Sequence, residues 1–369
     1  MLLVYRNGII ICMKVKKSPV GKQINYGGLT AQVDRTTLRQ FIEHVDQGKS
    51  LNILRAVMKI AGVAFMLWGS IGMVAGAVSS GASGAVGGGM LIILGGAMVA
   101  VVPLIERTYS ASVRISRFAA ENGWLYQHKV ANPSHHGVIF GNGHSRFASD
   151  IVYLTGDEDT ASFEIGNYQY TTGSGKHQQT HHWTYCCVEM DRQLPHMVLD
   201  ARANNASLFG KNLMTNLPVS LRKNQVLSLE GDFDKYFTLY APEQYKRDAL
   251  YLFTPDLMAL LIDTARSFDA EVVDNRFYIY MHRRGGRQTS MTQPQFMYQL
   301  LSVIHLVGMK LHRQSDYYAD DFVGDRSVDR VAEGGRRLKY GASWFAIAIV
   351  AVYILFQVGV FILDIVGGR

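Results

Sequence analysis

Three long stretches without a charged side chain constrain this chain more than any other feature. They are IAGVAFMLWGSIGMVAGAV (Ile60–Val78), AVGGGMLIILGGAMVAVVPLI (Ala85–Ile105) and ASWFAIAIVAVYILFQVGVFIL (Ala342–Leu363). A bilayer core of ~30 Å needs ~20 apolar residues at 1.5 Å rise each, and every run reaches that length. Buried helices of soluble proteins seldom run so far uncharged. The sequence therefore predicts three transmembrane helices in a chain of 369 residues. They divide it into a basic N-terminal segment with an amphipathic helix (1–53), a transmembrane helical hairpin (54–105) and a main domain (106–313). A polar tether (314–341), a third span (342–363) and a short tail (364–369) follow.

The charge distribution gives these spans a direction. The net charge is +7 and the pI about 9.2, values that could indicate nucleic acid binding. However, residues 1–59 carry ten Lys/Arg against Asp34, Glu43 and Asp46, whereas residues 106–340 carry 26 of each sign. The whole excess thus precedes the first span, which fits the positive-inside rule and argues against a groove for phosphates. Arg107, Arg114 and Arg117 after the second span, and Arg326, Arg330, Arg336, Arg337 and Lys339 before the third, agree with it. The expectation is a multi-pass protein with its N-terminus and main domain cytoplasmic and its C-terminal tail outside. Three cysteines, Cys12, Cys186 and Cys187, fit a reducing compartment as free thiols. MLLVYRNGIIIC does not read as a signal peptide, because Arg6 and Asn7 break its apolar stretch and no small-residue cleavage site follows.

Small residues shape the hairpin. Gly72-x-x-x-Gly76 in the first span and Gly95 and Gly96 in the second allow close helix approach in lipid, where packing drives association. Neither span carries an ionisable residue, which argues against an ion pathway. Before the hairpin, DRTTLRQFIEHVDQGKS places Leu38, Phe41, Ile42 and Val45 on one helical face, suited either to the membrane surface or to the main domain. After it, ERTYSASVRISRFAAENG continues as helix to Gly123, a natural stop. The pattern then turns to β, with runs such as RFASDIVYL, ASFEIGNYQYTT, HHWTYCCVEMD and AEVVDNRFYIYM. Two helices interrupt it. One is FTPDLMALLIDTARSF, with Thr254 as cap and Leu257, Leu260, Leu261 and Thr264 inward; the other is TQPQFMYQLLSVIHLVGMKLHR. The fold class is α+β, a β-rich domain with flanking helices held by three membrane helices.

Within this frame TTGSGKHQQTHH (Thr171–His182) invites two chemical readings. A P-loop needs G-x-x-x-x-G-K-[ST] between a strand and a helix, but Tyr170 stands where the first glycine belongs and His177 where the hydroxyl belongs. Both flanks are strand-like, so the glycines turn a β-hairpin, with Lys176 and His177 at its tip. His177, His181 and His182 are weak metal candidates, because neighbours on a strand project to opposite faces. Cys186 shares a strand face with His182 but sits ~13 Å along it, too far for direct proton exchange. Cys186 and Cys187 read as small buried apolar residues. No catalytic constellation and no cofactor is indicated, although Lys176, His177, His182, Cys186 and Cys187 mark the hairpin as the richest candidate for function.

RFAAENGWLY, YQYTTGSGKHQQTHHWTYCCVEM, LPHMVLDAR, LSLEGDFDKYFTLYAP and ALYLFTPDLMALLID, read together over about residues 115–285, resemble a group of uncharacterised bacterial membrane proteins with a cytosolic domain of unknown function. The resemblance implies a bacterial inner membrane and an α+β domain fixed to it, and it carries no catalytic residues. The leading expectation is a membrane-anchored interaction or regulatory module whose partners are the lipid bilayer and a protein or a second copy, not nucleic acid. The alternatives are an enzyme acting on a membrane-proximal substrate and a lipid- or ligand-binding β-scaffold.

Overall fold

The computed structural model describes residues 3–6, 9–12, 24–45, 49–156, 161–208, 211–283, 291–325, 327–341, 353–355 and 357–358. The chain forms two compact units. One comprises residues 1–129, 149–153 and 288–297, the other residues 130–148, 154–287 and 298–369.

The first unit is built on a helical hairpin. After α1 (Gly27–Thr30) and α2 (Arg35–Val45) come α3 (Lys49–Ser80) and α4 (Ala82–Glu121), joined at Gly81. Two stretches of these helices, Ile53–Ser80 and Ala85–Pro103, are long and apolar enough to cross a membrane. Their surfaces are little covered, with Trp68 73% and Ile71 70% exposed. Apolar surface on this scale suits a hydrocarbon solvent rather than water. The third expected span lies largely outside the described residues, which include only Tyr353–Leu355, Gln357 and Val358 of it.

Glycine sets the approach of α3 to α4, though not at all the expected positions. A Cβ on Gly95 would lie 2.4 Å from the Gly62 carbonyl oxygen, and one on Gly69 would lie 2.6 Å from that of Gly88. The two pairs are each seven residues apart on their helices, as an antiparallel seam with a heptad period requires. Gly72 is at ordinary contact distance from Gly88 Cα, 3.8 Å, and Gly76 is partly buried on α3. Gly96 departs from the expectation: a Cβ there meets nothing within 4 Å. It lies beside the seam because adjacent helical residues are turned ~100° apart.

The open question about the amphipathic helix is resolved within this unit. Leu38, Phe41 and Ile42 of α2 are buried, and the Phe41 ring sits 6.1 Å from Tyr126 and 5.8 Å from His128 on β3 (Leu125–Ala131). Helix α4 ends as expected, with Gly123 at φ +76°. The Asn122 amide exchanges hydrogen bonds with the backbone of Asn25 at 2.9 and 2.8 Å. Leu3–Arg6 (β1) and Ile9–Cys12 (β2) form an antiparallel pair, with Ile10 opposite Tyr126. Strand β4 (His144–Leu154) comes next in the chain.

The second unit is an antiparallel sheet organised by one long strand. β5 (Phe163–Thr172) and β6 (Gln179–Ala201) form the expected hairpin, with Thr172 opposite Gln179 and Gly173 and Gly175 at positive φ in the turn. A two-stranded ribbon follows, β7 (Ala206–Leu208) with β8 (Lys211–Met214). β9 (Val226–Leu227) pairs with β10 (Phe237–Tyr240), which pairs with the far end of β6. β11 (Asp269–His282) runs antiparallel to β6, from Ala270 opposite Leu199 to His282 opposite Trp183. Both faces of β6 are buried between Trp183 and Val188, so this strand reads as a continuous apolar run.

Helices α5 (Phe233–Tyr236), α6 (Lys246–Leu252) and α7 (Pro255–Leu260) precede β11, while α8 (Pro294–Val303) and α9 (Met309–Ser315) follow it. A π turn at Leu261–Ala265 widens the end of α7, so the fully buried stripe is Leu257, Leu261 and Ala265, with Leu260 and Thr264 half-buried. A second π turn, Ile304–Gly308, joins α8 to α9 and presses Gly308 against Val188, where a Cβ would lie 2.9 Å from a valine methyl.

The described residues between 316 and 340, expected as part of a polar tether, include several with fixed partners in the second unit. Tyr318 donates to Asp248 (3.0 Å) and Tyr245 to the buried Asp320 (2.8 Å). After α10 (Glu333–Arg336), Leu338 N–H donates to His196 Nδ1 (2.9 Å) and Lys339 N–H to Gln225 (2.7 Å). Spaced apolar residues inside the polar run, Val331 and Leu338, are buried and supply the packing that composition alone concealed.

Candidate functional site

The hairpin singled out by the sequence does not assemble a reactive centre. Lys176 and His177 are exposed at its tip. His181 stacks on Tyr170, with ring centroids 4.8 Å apart, and meets Thr172 Oγ1 at 2.9 Å. His182 occupies the next strand position, and burial pushes the pKa of both imidazoles down. Cys186 and Cys187 are fully buried opposite Ile279 and Tyr278, on opposite faces of β6. Burial pushes both thiols well above the ordinary range, the reverse of what a nucleophilic cysteine requires. Histidine and carboxylate ligand atoms do converge elsewhere, at Asp191, His312 and Asp316, within 4.8 Å of one another. His312 Nδ1 is 3.0 Å from the Glu189 carbonyl and its Nε2 3.3 Å from Asp191. The two aspartates there are exposed, as acidic surface groups commonly are.

The denser polar site lies between β11, the 134–140 loop and the 329–337 segment. It starts from an irregularity in β11. The register against β6 shifts on both sides of Asp274, and Asp274 itself has φ +55°. A bulge of this kind turns a side chain out of its alternation. Here it sets Asp274 against Arg337 and His136. Arg337 approaches in a fork, Nη1–Oδ1 2.7 Å and Nη2–Oδ2 3.0 Å, and His136 Nδ1 lies 2.8 Å from Oδ2. Partial burial pushes the Asp274 pKa up, but the hydrogen bonds from Arg337 and His136 outweigh it and hold the carboxyl below the usual range.

Two buried networks hold the frame behind this surface. Glu271 Oε2 accepts from Val138 N–H (2.8 Å) and Tyr280 OH (2.7 Å), and Oε1 lies 2.7 Å from His196 Nε2. His196 Nδ1 accepts from Leu338 N–H, so its proton sits on Nε2 and points to the carboxylate. Gly137, at φ +150°, leaves room for this carboxylate, because a Cβ there would lie 2.9 Å from Glu271 and 2.5 Å from the Tyr280 hydroxyl. In the second network Arg276 donates to His135 Nδ1 (3.2 Å) and to Tyr278 OH (3.4 Å), while His135 Nε2 lies 3.1 Å from Glu164. Tyr185 OH also donates to Glu164. Both arginine-bearing segments are therefore fixed from below.

The result is a cleft of about 530 Å³, a size typical of ligand sites. Among the described residues Arg276, Arg330, Arg336 and Arg337 line it against Asp274 and Asp329, and His136 and Asn275 stand at its wall. Asp329 is already engaged by Gln193 N–H (2.7 Å), and Arg336 Nε donates to the Val331 carbonyl (3.0 Å). Such a surface can take a carboxylate or phosphate group, whose planar or tetrahedral oxygens match guanidinium forks. The sequence reading missed it, since its residues come from four separated segments. One local signal was present: VVDNRFY breaks the apolar alternation of a buried strand with three consecutive polar residues.

No protein-family model matches the sequence, and no curated protein matches it. Among solved structures the chain is similar to the crystal structure of the mycobacterial trehalose monomycolate transport factor A, TtfA, at 11% identity and a TM-score of 0.33. That likeness covers 53% of this chain and 96% of the other, and at this level it carries no inference about fold or function.

Proposed function

We infer that the protein is a membrane-anchored binding module of a bacterial inner membrane. Its β-rich unit, on the cytoplasmic side, docks an acidic segment of a protein partner or of a second copy. The observation that carries this reading is the cleft in which, among the described residues, four arginines face two aspartates, both already engaged. The basic N-terminal segment supports the orientation, with the N-terminus inside and the C-terminal tail outside. Arg337 is held by Asp274 and Arg276 by His135 and Tyr278, so little side-chain freedom remains to be lost on binding.

A photo-crosslinking amino acid at Asn275, on the cleft wall, tests the reading in living cells. A discrete adduct that disappears in an Arg330→Glu/Arg336→Glu variant is expected. No adduct, or one indifferent to the charge reversal, would refute it. A second reading, acid–base catalysis in the same cleft, has one observation behind it: the Asp274 contact at Nδ1 leaves Nε2 of the exposed His136 available as a base. His136→Gln separates the two readings, because it would abolish turnover-dependent phenotypes while sparing the crosslink.

A further inference from the structure

A second cavity, of about 440 Å³, lies in the membrane-helix unit and has a different character. Its upper rim carries Arg35 and Arg39 of α2 and Lys59 of α3, and among the described residues no acidic one lines it. Its floor is apolar, formed by Met66 of α3 and Gly96 and Val99 of α4 among others. Arg35 and Arg39 are four residues apart and share one face of α2, while Leu38, Phe41 and Ile42 fix the helix by their burial. The neighbouring Asp34 is engaged by Thr36 and Thr37 and by Arg117, 3.7 Å away.

We propose that this cavity binds an anionic phospholipid, with the headgroup phosphate among Arg35, Arg39 and Lys59 and an acyl chain along the groove over Gly96. Charge complementarity selects the headgroup, since three cations and, among the described residues, no acid line this cavity. Depth selects a lipid over a free anion. From Lys59 to Met66 is about two helical turns, ~10 Å, which takes the floor from the headgroup level into the hydrocarbon. The space over Gly96 is open, because a Cβ there meets nothing within 4 Å, so this glycine widens the groove rather than closing the α3–α4 seam. The proposal rests on the hairpin lying in the bilayer and is independent of the arginine cleft.

Native mass spectrometry of the full-length chain in a neutral detergent provides the test, with dioleoyl-phosphatidylglycerol and dioleoyl-phosphatidylcholine as probes and inorganic phosphate as competitor. Phosphatidylglycerol should be retained in preference to phosphatidylcholine, and millimolar phosphate should not displace it. An Arg35→Gln/Arg39→Gln/Lys59→Gln variant should lose roughly fivefold in phosphatidylglycerol affinity per cation, about a hundredfold in all, with phosphatidylcholine unchanged. Gly96→Phe should fill the groove and lower retention with every charge in place. Equal retention of the two lipids, an unaffected triple variant, or displacement by inorganic phosphate would each overturn the proposal, the last by identifying a soluble-anion site. Extraction of the chain from membranes by alkaline carbonate would instead show that the membrane placement of the hairpin is what fails.

Discussion

Asp269 offers the most direct physical test of the β-rich unit. The residue starts β11, is 0% exposed, and its Oδ1 accepts from Ala201 N–H at 2.9 Å. Burial, followed by the negative charge of nearby Asp200, pushes its pKa from 3.8 up to about 7. Below pH 3.8 the carboxyl is protonated whether the chain is folded or unfolded. Between 3.8 and about 7 the unfolded chain releases the proton while the folded one keeps it, so stability falls as pH rises through this window. Above it both states are ionised and the loss is complete. At ~1.4 kcal/mol per pH unit, the whole window amounts to roughly 4 kcal/mol, and its upper part from pH 5 to roughly 2–3 kcal/mol. Asp269→Asn keeps an acceptor for Ala201 and stays neutral at every pH. Urea denaturation in detergent micelles, followed by tryptophan fluorescence, should therefore show the variant gaining on the native protein by about 2–3 kcal/mol between pH 5 and pH 8. A stability difference that stays constant across this range would refute the reasoning.

Three further outcomes follow from the packing. Glu271→Ala leaves Tyr280, Val138 N–H and His196 without their shared acceptor, so it should destabilise the unit by about 3–5 kcal/mol. The same change should raise amide exchange at Leu338, measured by mass spectrometry, whereas Glu271→Gln should do so less. Gly69→Leu must displace the Gly88 backbone, 2.6 Å from its Cβ, and should lower hairpin stability by about 1–3 kcal/mol, read as a lower urea midpoint. In a Cys12→Ser background, Cys186 and Cys187 should resist maleimide at pH 8 until the chain is denatured; prompt labelling of either would contradict their burial and raised pKa.

Local order explains what could be read without coordinates. The uncharged runs Ile60–Val78 and Ala85–Ile105 identify two helices long and apolar enough to cross a membrane, because hydrophobic length is a property of contiguous residues. The β-hairpin at Thr171–Gln179 is equally local, since its glycines must turn the chain where two strand-like runs meet. The helix stop at Gly123 belongs to the same class. The candidate site does not. Histidines and cysteines drew attention to β6, but alternation along a strand separates neighbours, so Cys186 and Cys187 face apart and His177 points to solvent.

The sequence by itself determined where apolar length, turn residues and charge asymmetry act over a few neighbouring positions: the greasy hairpin, the α+β composition and the basic N-terminal arm. Only the tertiary structure decided which side chains meet across distance. It paired Gly62 with Gly95 and Gly69 with Gly88, where Gly72 and Gly96 had looked equally suitable. It also folded residues 329–337 over the β11 bulge to place Arg337 on Asp274, 63 positions away in the chain. Such contacts depend on register and on the packing of whole elements, which no local pattern of residues encodes.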